Sequence, residues 1–433
     1  MEKGKGKQRC LGNAYIAGMK AAMIMDTPYP PDARVKNEIR TLQQAGVSVD
    51  LFTIDFDVTG ERLGWRGTRL ERTRHEAVEI WRLHAGRFWY KLSALVHSTP
   101  LFSWWLAPRI RDFLDASRPD LVHIHDMVIA PAGMRVAKRS NLPVILDLHE
   151  DRPQILPHYP HMQRKIARAL IRPRRWARAQ RQLMQSADRV ILVTDEAKKV
   201  ALKRDHIAPE KVIVLPNVVW PGEFDVGEND PAREGSDPAR PLRLLYIGDT
   251  SIRRGTVTIL EAVKSLTTAH CPVTLSMVGD SSEHDHLLDL AHSLGIRDRI
   301  DWVGWVPPEK LPEYVAEADV GLSPLLRNGH HDTTFANKLF QYMAGGLPVI
   351  VSDCPAQADL VRSESCGRIH RAGDVHALAS QIRWMVDHPD EGRAMGQRAR
   401  EAIQLRWNWS ITGRRLTNLY ESLRSHTNEG SRT

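Results

Sequence analysis

Two short segments gather residue types suited to capturing an anion. The first is YIGDTSIRRG, residues 246–255, where Gly248 closes an apolar run and Arg253 and Arg254 stand just before Gly255 and a helical pattern. A helix N-terminus at that place directs N–H groups and the positive end of its dipole outward, and two guanidinium groups add charge. Taken alone, such a turn is better explained as a generic βα turn with solvated arginines. The second is HHDTTFANK, residues 330–338, which leads from an apolar strand pattern into a helix opened by Thr334 and Asn337, with Lys338 in its first turn. A hydroxyl cap, backbone amides and an ammonium group meet there, which is the chemistry that phosphate oxygens require. Both segments follow strands of one predicted sheet, so a diphosphate fits the pair better than a single phosphate does.

The elements that position these residues alternate between short apolar strands and amphipathic helices. In the first half, strand patterns fall at 21–25, 48–54, 78–83, 121–125, 144–148, 190–194 and 212–215, with a helix over 35–45. In the second half they fall at 242–247, 273–278, 300–303, 320–323 and 349–352, with helices near 256–267, 284–294, 309–317, 334–345 and 374–387. Alternation of this kind specifies parallel sheets wrapped in helices. The predicted class is therefore α/β, with two doubly wound domains facing a central cleft lined by the carboxyl ends of both sets of strands. The expected boundaries are an extension over 1–18, a first domain over 19–218, a Pro-, Gly- and charge-rich linker over 219–241, and a second domain over 242–407. A last helical pattern over 408–425 is expected to cross back to the first domain.

Composition narrows the partners. The chain has 433 residues, 60 Lys plus Arg against 52 Asp plus Glu, and a net charge of +8, which favours anionic ligands. Its four cysteines lie far apart without a CxxC pair, which supports neither a disulfide framework nor a zinc knuckle and fits a reducing cytoplasm. No apolar run reaches the ~18 residues of a membrane-spanning helix.

These segments, taken together with three others, resemble glycosyltransferase family 4. YIGDTSIRRG is similar to that family's donor-domain turn, and NKLFQYMAGGLPV at 337–349 to its donor-site helix. In the first domain PDAR at 31–34 resembles the family's first loop, PDLVHIHD at 119–126 one strand end, and LDLHED at 146–151 the next. The resemblance implies the GT-B fold of two Rossmann-like domains, a nucleoside-diphosphate sugar on the second domain, an acceptor on the first, and transfer with retention at the anomeric carbon. It further implies that Gly248, Arg253, Arg254, Thr334, Asn337 and Lys338 hold the donor diphosphate, Gln341 the ribose, and His149 the transferred sugar, with Arg34, His125, Asp126 and Glu150 on the acceptor side. The chain departs from the family pattern at Asp249, where many members carry Arg, and at Thr333 and Gln341, where two glutamates are usual. An amide in place of a carboxylate on a ribose hydroxyl costs on the order of tenfold in affinity.

Other signals yield to simpler readings. Asp55 and Asp57 form a DxD pattern but belong to a loop of the first domain, and His284, His286, His330 and His331 read as exposed helix-start and loop residues. His123, His125 and Asp126 have the types of metal ligands. The alternation of side chains along a strand is taken to divide them, so the expected role is structural or acceptor-orienting, with no metal and no cofactor. From Arg164 to Arg181 eight basic residues and no acidic one interleave with Ile166, Leu170, Ile171 and Trp176, and Trp104, Trp105, Arg109 and Arg111 add a second such element. This pattern suits both a solvated helix face and an anionic membrane surface on the inner face of a membrane. The expected function is sugar transfer to a hydroxyl of a glycan or lipid-linked saccharide, as in polysaccharide or glycolipid biosynthesis. The alternatives are a catalytically degenerate binding subunit of the same fold, an epimerase, and a nucleic-acid binder, for which no binding module is present.

Overall fold

The computed structural model describes residues 16–30, 32–158, 162, 165–224 and 240–430. They divide into two compact units, the first made of the chain up to Leu192, Lys198–Leu215 and everything from Gly413, the second of Val193–Ala197 and Pro216–Thr412.

The first unit is built on eight strands: β1 (Lys20–Met25), β2 (Ser48–Phe56), β3 (Thr68–His75), β4 (Val78–Ala85), β5 (Leu121–His125), β6 (Val144–Leu148), β7 (Arg189–Leu192) and β8 (Val212–Val214). Their order in the sheet is β3-β4-β2-β1-β5-β6-β7-β8. Every pairing is parallel except that of β3 with β4. The central strands are buried on both faces, which is why their sequences read as continuous apolar runs. Chain order reverses between β1 and β5, and in an open parallel sheet the loops at such a switch point form the ligand site. The helix Ala33–Gln44 starts just beyond β1, with the Asp32 side chain accepting from the Val35 N–H at 3.0 Å as its cap. The last helix, Trp409–Gly430, buries Leu416, Leu419, Tyr420 and Leu423 in the same core as Met23, Val35 and Ile145.

The second unit holds six parallel strands: β9 (Leu242–Ile247), β10 (Val273–Val278), β11 (Ile300–Gly304), β12 (Val320–Ser323), β13 (Val349–Ser352) and β14 (Gly367–His370). Their order is β11-β10-β9-β12-β13-β14, so the switch point lies between β9 and β12. The turn after β9 and the long connection after β12 carry the two anion-suited segments.

Several expectations need correction. Ile16 is fully buried in the first unit's core and the Met19 N–H donates to its carbonyl, so residues 16–18 belong to that unit; 1–15 of the expected extension lie outside the described residues. The linker reading at 225–239, and Pro31 and Arg164 of the segments read above, also lie outside them. Strands β3 and β14 and the helices Pro355–Glu364 and Pro389–Leu405 are additional to the sequence reading. The helix placed at 334–345 begins instead at Asn337.

Candidate functional site

In the second unit the residue types expected to meet a diphosphate come together at the ends of β9 and β12. Gly255 sits at φ +83°, and a Cβ there would lie 1.9 Å from the Pro324 carbonyl oxygen, so the turn carrying Arg253 and Arg254 is pressed against the strand end after β12. A Cβ built on Gly248 would stand 3.8 Å from Lys338 Cε, so the bare glycine backbone lies beside the lysine side chain. The Lys338 ammonium lies 3.3 Å from the centre of the buried Tyr246 ring and has no hydrogen-bond partner among the described residues. Burial, with the Arg254 charge beside it, holds the Lys338 pKa well below its ordinary value. A buried cation without a hydrogen-bonded anion is costly, and an incoming phosphate oxygen would relieve that cost.

Asp249, the departure from the family pattern, is absorbed by this arrangement. Its Oδ1 accepts from the Ser251 N–H at 2.9 Å, and its Oδ2 accepts from Arg253 Nη2 at 2.9 Å and Arg254 Nε at 3.3 Å. The carboxylate thus holds both guanidinium groups at the turn. Asn337 is exposed at the first position of its helix, and Gln341, one turn after Lys338, is half-buried. Thr334 does not cap that helix: its hydroxyl donates to the His330 carbonyl at 3.0 Å, and Ala336 occupies the cap position without a side-chain bond. His330 and His331 are buried rather than exposed, and the His331 N–H donates to Asn328 Oδ1 at 2.8 Å, so both shape the loop after β12.

In the first unit a buried group of charged and aromatic residues stands at the ends of β5 and β6. Arg34 donates to Asp147 Oδ2 from Nε and Nη2 at 3.2 and 2.8 Å, and from Nη1 to the Leu215 carbonyl at 3.0 Å. Its Nε also lies 3.1 Å from Glu38 Oε1, one helical turn along. His149 places Nε2 3.4 Å from Asp147 Oδ2 and 3.3 Å from His125 Nδ1, and Nδ1 3.8 Å from Asp126 Oδ2. Asp126 adopts a left-handed φ of +64° at the strand end, where the chain turns sharply. Glu150 is partly exposed, its carboxylate 3.7 Å from Arg152.

His123 and His125 share one face of β5, since they are two residues apart; their rings stack at 4.4 Å, which removes the reason given above for separating them. The charges are sorted by their surroundings. Burial would raise the Asp147 pKa, but Arg34 and His149 hold it well below the carboxylate range. Burial opposes a charge on His149, and the carboxylates of Asp147 and Asp126 outweigh it, lifting its pKa to about 10. Burial pushes Glu38 well up and His125 well down, and lifts Asp26, with Asp126 beside it, to about 6.

The sequence reading did not single out Glu38, Asp147, Asp26 or Tyr420. A signal for the first two was present. Arg34 and Glu38 are four apart on the helix face that also buries Val35, Ile39 and Leu42, and Asp147 interrupts the otherwise apolar VILDL strand. A charge at a position that the pattern buries needs a partner. The remaining carboxylates read as a DxD pattern are occupied: Asp57 accepts from the N–H groups of Gly60, Arg62 and Leu63, and Asp55 pairs with Arg62 and His84.

Comparison with known proteins gives the family and the fold. Residues 31–218 match the family model described as "Glycosyl transferase 4-like domain", and residues 241–388 the one described as "Glycosyl transferases group 1". The glycogen synthase of Mycobacterium tuberculosis is 21% identical over 303 residues, covering 70% of this chain and 69% of its own. Among solved structures, sucrose-phosphate synthase from Thermosynechococcus elongatus superposes with a TM-score of 0.73 at 20% identity, covering 94% of this chain and 100% of its own. The Anabaena protein Alr3699/HepE in complex with UDP-glucose does so with a TM-score of 0.65 at 18% identity, covering 93% and 100%. Two matched domains in sequence order, two parallel α/β sheets and superposition on these structures lead to one assignment: the chain belongs to the family 4-like, group 1 glycosyltransferases and has the GT-B fold.

Proposed function

We propose that the chain moves a sugar from a nucleoside diphosphate to a hydroxyl of a glycan or lipid-linked saccharide, with retention at the anomeric carbon. The observation that carries this reading is the buried Lys338 ammonium, unbonded beside Gly248 and near the Arg254 guanidinium. Departure of the diphosphate builds negative charge on its oxygens, and fixed cations with nearby helix N-termini stabilise that charge without reorganising. Lys338, Arg253 and Arg254 take the diphosphate and Gln341 a ribose hydroxyl. His149, held charged by Asp147, donates to the transferred sugar, and the leaving phosphate takes the acceptor proton. With this charge supplied by side chains, the transfer step proceeds without a metal on the diphosphate. UDP-linked sugars are the first donors to try, since the Anabaena neighbour holds UDP-glucose; GDP-linked sugars are the second.

The acceptor is proposed to be met at an anionic membrane surface. Leu101, Trp104 and Leu170 are exposed in the first unit, and the Ser98 hydroxyl donates to the Leu170 carbonyl while Arg175 reaches the Ser98 carbonyl. Apolar side chains thus stand among the arginines of the Pro173–Ser186 helix. No helix of the described residues is long and apolar enough to cross a membrane.

A thermal-shift screen over nucleoside diphosphates and their sugars tests the donor site, with Tm expected to rise for one base and Lys338→Met to abolish the rise. A chain that no nucleotide stabilises would end this reading. Product analysis by NMR without added divalent cation then reports the anomer formed, and an inverted product or strict dependence on the added cation would overturn the proposed chemistry. His149→Ala is expected to keep the nucleotide shift and lose transfer. Sedimentation with anionic vesicles at low salt is expected to carry the chain down, and no binding would remove the membrane surface.

A further inference from the structure

The group at the ends of β5 and β6 holds more polar atoms than its hydrogen bonds use. Glu38, His123, His125 and Asp147 are all buried, and one ligand-type atom from each lies within 4.8 Å of the others. Glu38 Oε2, His123 Nε2, His125 Nε2 and Asp147 Oδ1 each lack a hydrogen-bond partner among the described residues. His123 Nε2 stands 3.7 Å from Asp147 Oδ2, and His125 Nε2 stands 3.8 Å from Glu38 Oε2. Those gaps are too long for hydrogen bonds. They approach the ~3.3 Å that separates neighbouring ligands around a tetrahedral ion with bonds of ~2.0–2.1 Å.

The second polar atom of each residue is engaged from outside. His123 Nδ1 meets Tyr420 Oη at 3.0 Å, and His125 Nδ1 meets His149 Nε2 at 3.3 Å. Arg34 lies 3.1 Å from Glu38 Oε1 and 2.8 Å from Asp147 Oδ2. Such outer contacts are what orient the ligands of a bound metal and leave their inner atoms free. We propose that Glu38, His123, His125 and Asp147 together bind one divalent transition-metal ion, with zinc the best match to two imidazoles and two carboxylates, tying the helix Ala33–Gln44 to β5 and β6. The ion sits inside the first unit and is structural, and none of its ligands is a residue proposed to take the diphosphate, so this inference goes beyond the proposed transfer and stands without it.

The test uses the full chain, prepared without a metal-affinity tag or chelator. Elemental analysis is expected to find about one zinc-class ion per chain, and chelation to lower Tm until zinc restores it. Cobalt added after chelation is expected to give the intense visible absorption of a tetrahedral site. Glu38→Gln, which keeps the shape of the side chain, is expected to reduce ion content several-fold and to abolish the zinc-dependent part of Tm. If His123→Gln or His125→Asn fails to fold, Glu38→Gln and the cobalt spectrum still decide. A chain that purifies without metal and whose Tm zinc leaves unmoved would overturn the proposal, leaving a group satisfied by Arg34 and buried water. An ion retained undiminished in Glu38→Gln would overturn the ligand set. The nucleotide-induced shift of the second unit is read separately, so failure of one reading does not mimic failure of the other.

Discussion

Asp249 tests how the diphosphate site is balanced at the level of a single residue. Its carboxylate holds Arg253 and Arg254 while adding a negative charge where an anion is to bind. Asp249→Asn keeps one acceptor oxygen for the Ser251 N–H, puts an amide NH2 where Oδ2 faced the two guanidinium groups, and removes the charge. Affinity for the nucleoside diphosphate, measured by titration calorimetry, is expected to rise on the order of fivefold, the scale of a partly screened charge at short range. A fall would show instead that the charge itself is what keeps the two arginines in place. Much of this site was legible because its residues are local in sequence: Gly248 to Gly255 form one turn, and Lys338 opens one helix. The first unit's buried group was less legible, because Arg34, His123, Asp147 and Tyr420 come from four separate elements. Arg34 is marked by its motif, His123 by its residue type and Asp147 by its misfit to an apolar strand, and none of these signals names the partners.

At the level of elements, the turn after β9 depends on a close approach that one methyl group would block. Gly255→Ala places a Cβ 1.9 Å from the Pro324 carbonyl oxygen in addition to forcing alanine into φ +83°. Gly295 offers the comparison, since it has φ +66° with no atom within 4 Å of its Cβ position. Gly295→Ala is expected to cost about 1 kcal/mol for the backbone alone. Gly255→Ala is expected to cost at least about 2 kcal/mol and to weaken nucleotide binding with it, as measured by urea unfolding and by the nucleotide-induced Tm shift. Equal costs for the two would mean that the strand end moves aside freely. The same physics explains which elements the sequence shows. Central strands such as β1, β5 and β6 read as apolar runs because both of their faces are covered. Strand β3, TRLERTRH, escaped because it is a largely exposed edge strand paired on one side only, where charged residues protect the free edge. The Pro355–Glu364 and Pro389–Leu405 helices have small residues at several buried positions, among them Ala356, Ala358, Gly392, Gly396 and Ala399, which blunt the apolar period.

At the level of the whole molecule, the chain leaves the first unit and returns to finish it. After Leu215 the sequence builds the second unit through Thr412, and the first unit is then completed by the helix that carries Leu416, Leu419, Tyr420 and Leu423. These four side chains are 0–4% exposed, and Tyr420 Oη meets the buried His123. Burying four large side chains contributes about 1.5–3 kcal/mol each as an upper estimate. A domain's whole stability is about 5–15 kcal/mol, so this helix decides whether the first unit folds. Residues 16–218 expressed alone are therefore expected to be largely insoluble, and a separate peptide of residues 409–430 supplied with them to raise the soluble, protease-resistant fraction. Tyr420→Phe in the full chain is expected to be milder, losing only the bond to His123 and about 1 kcal/mol. If residues 16–218 fold to a cooperative, soluble form without the peptide, the returning helix is an accessory, and the buried charges at β5 and β6 must be held by their own unit's strands and first helix.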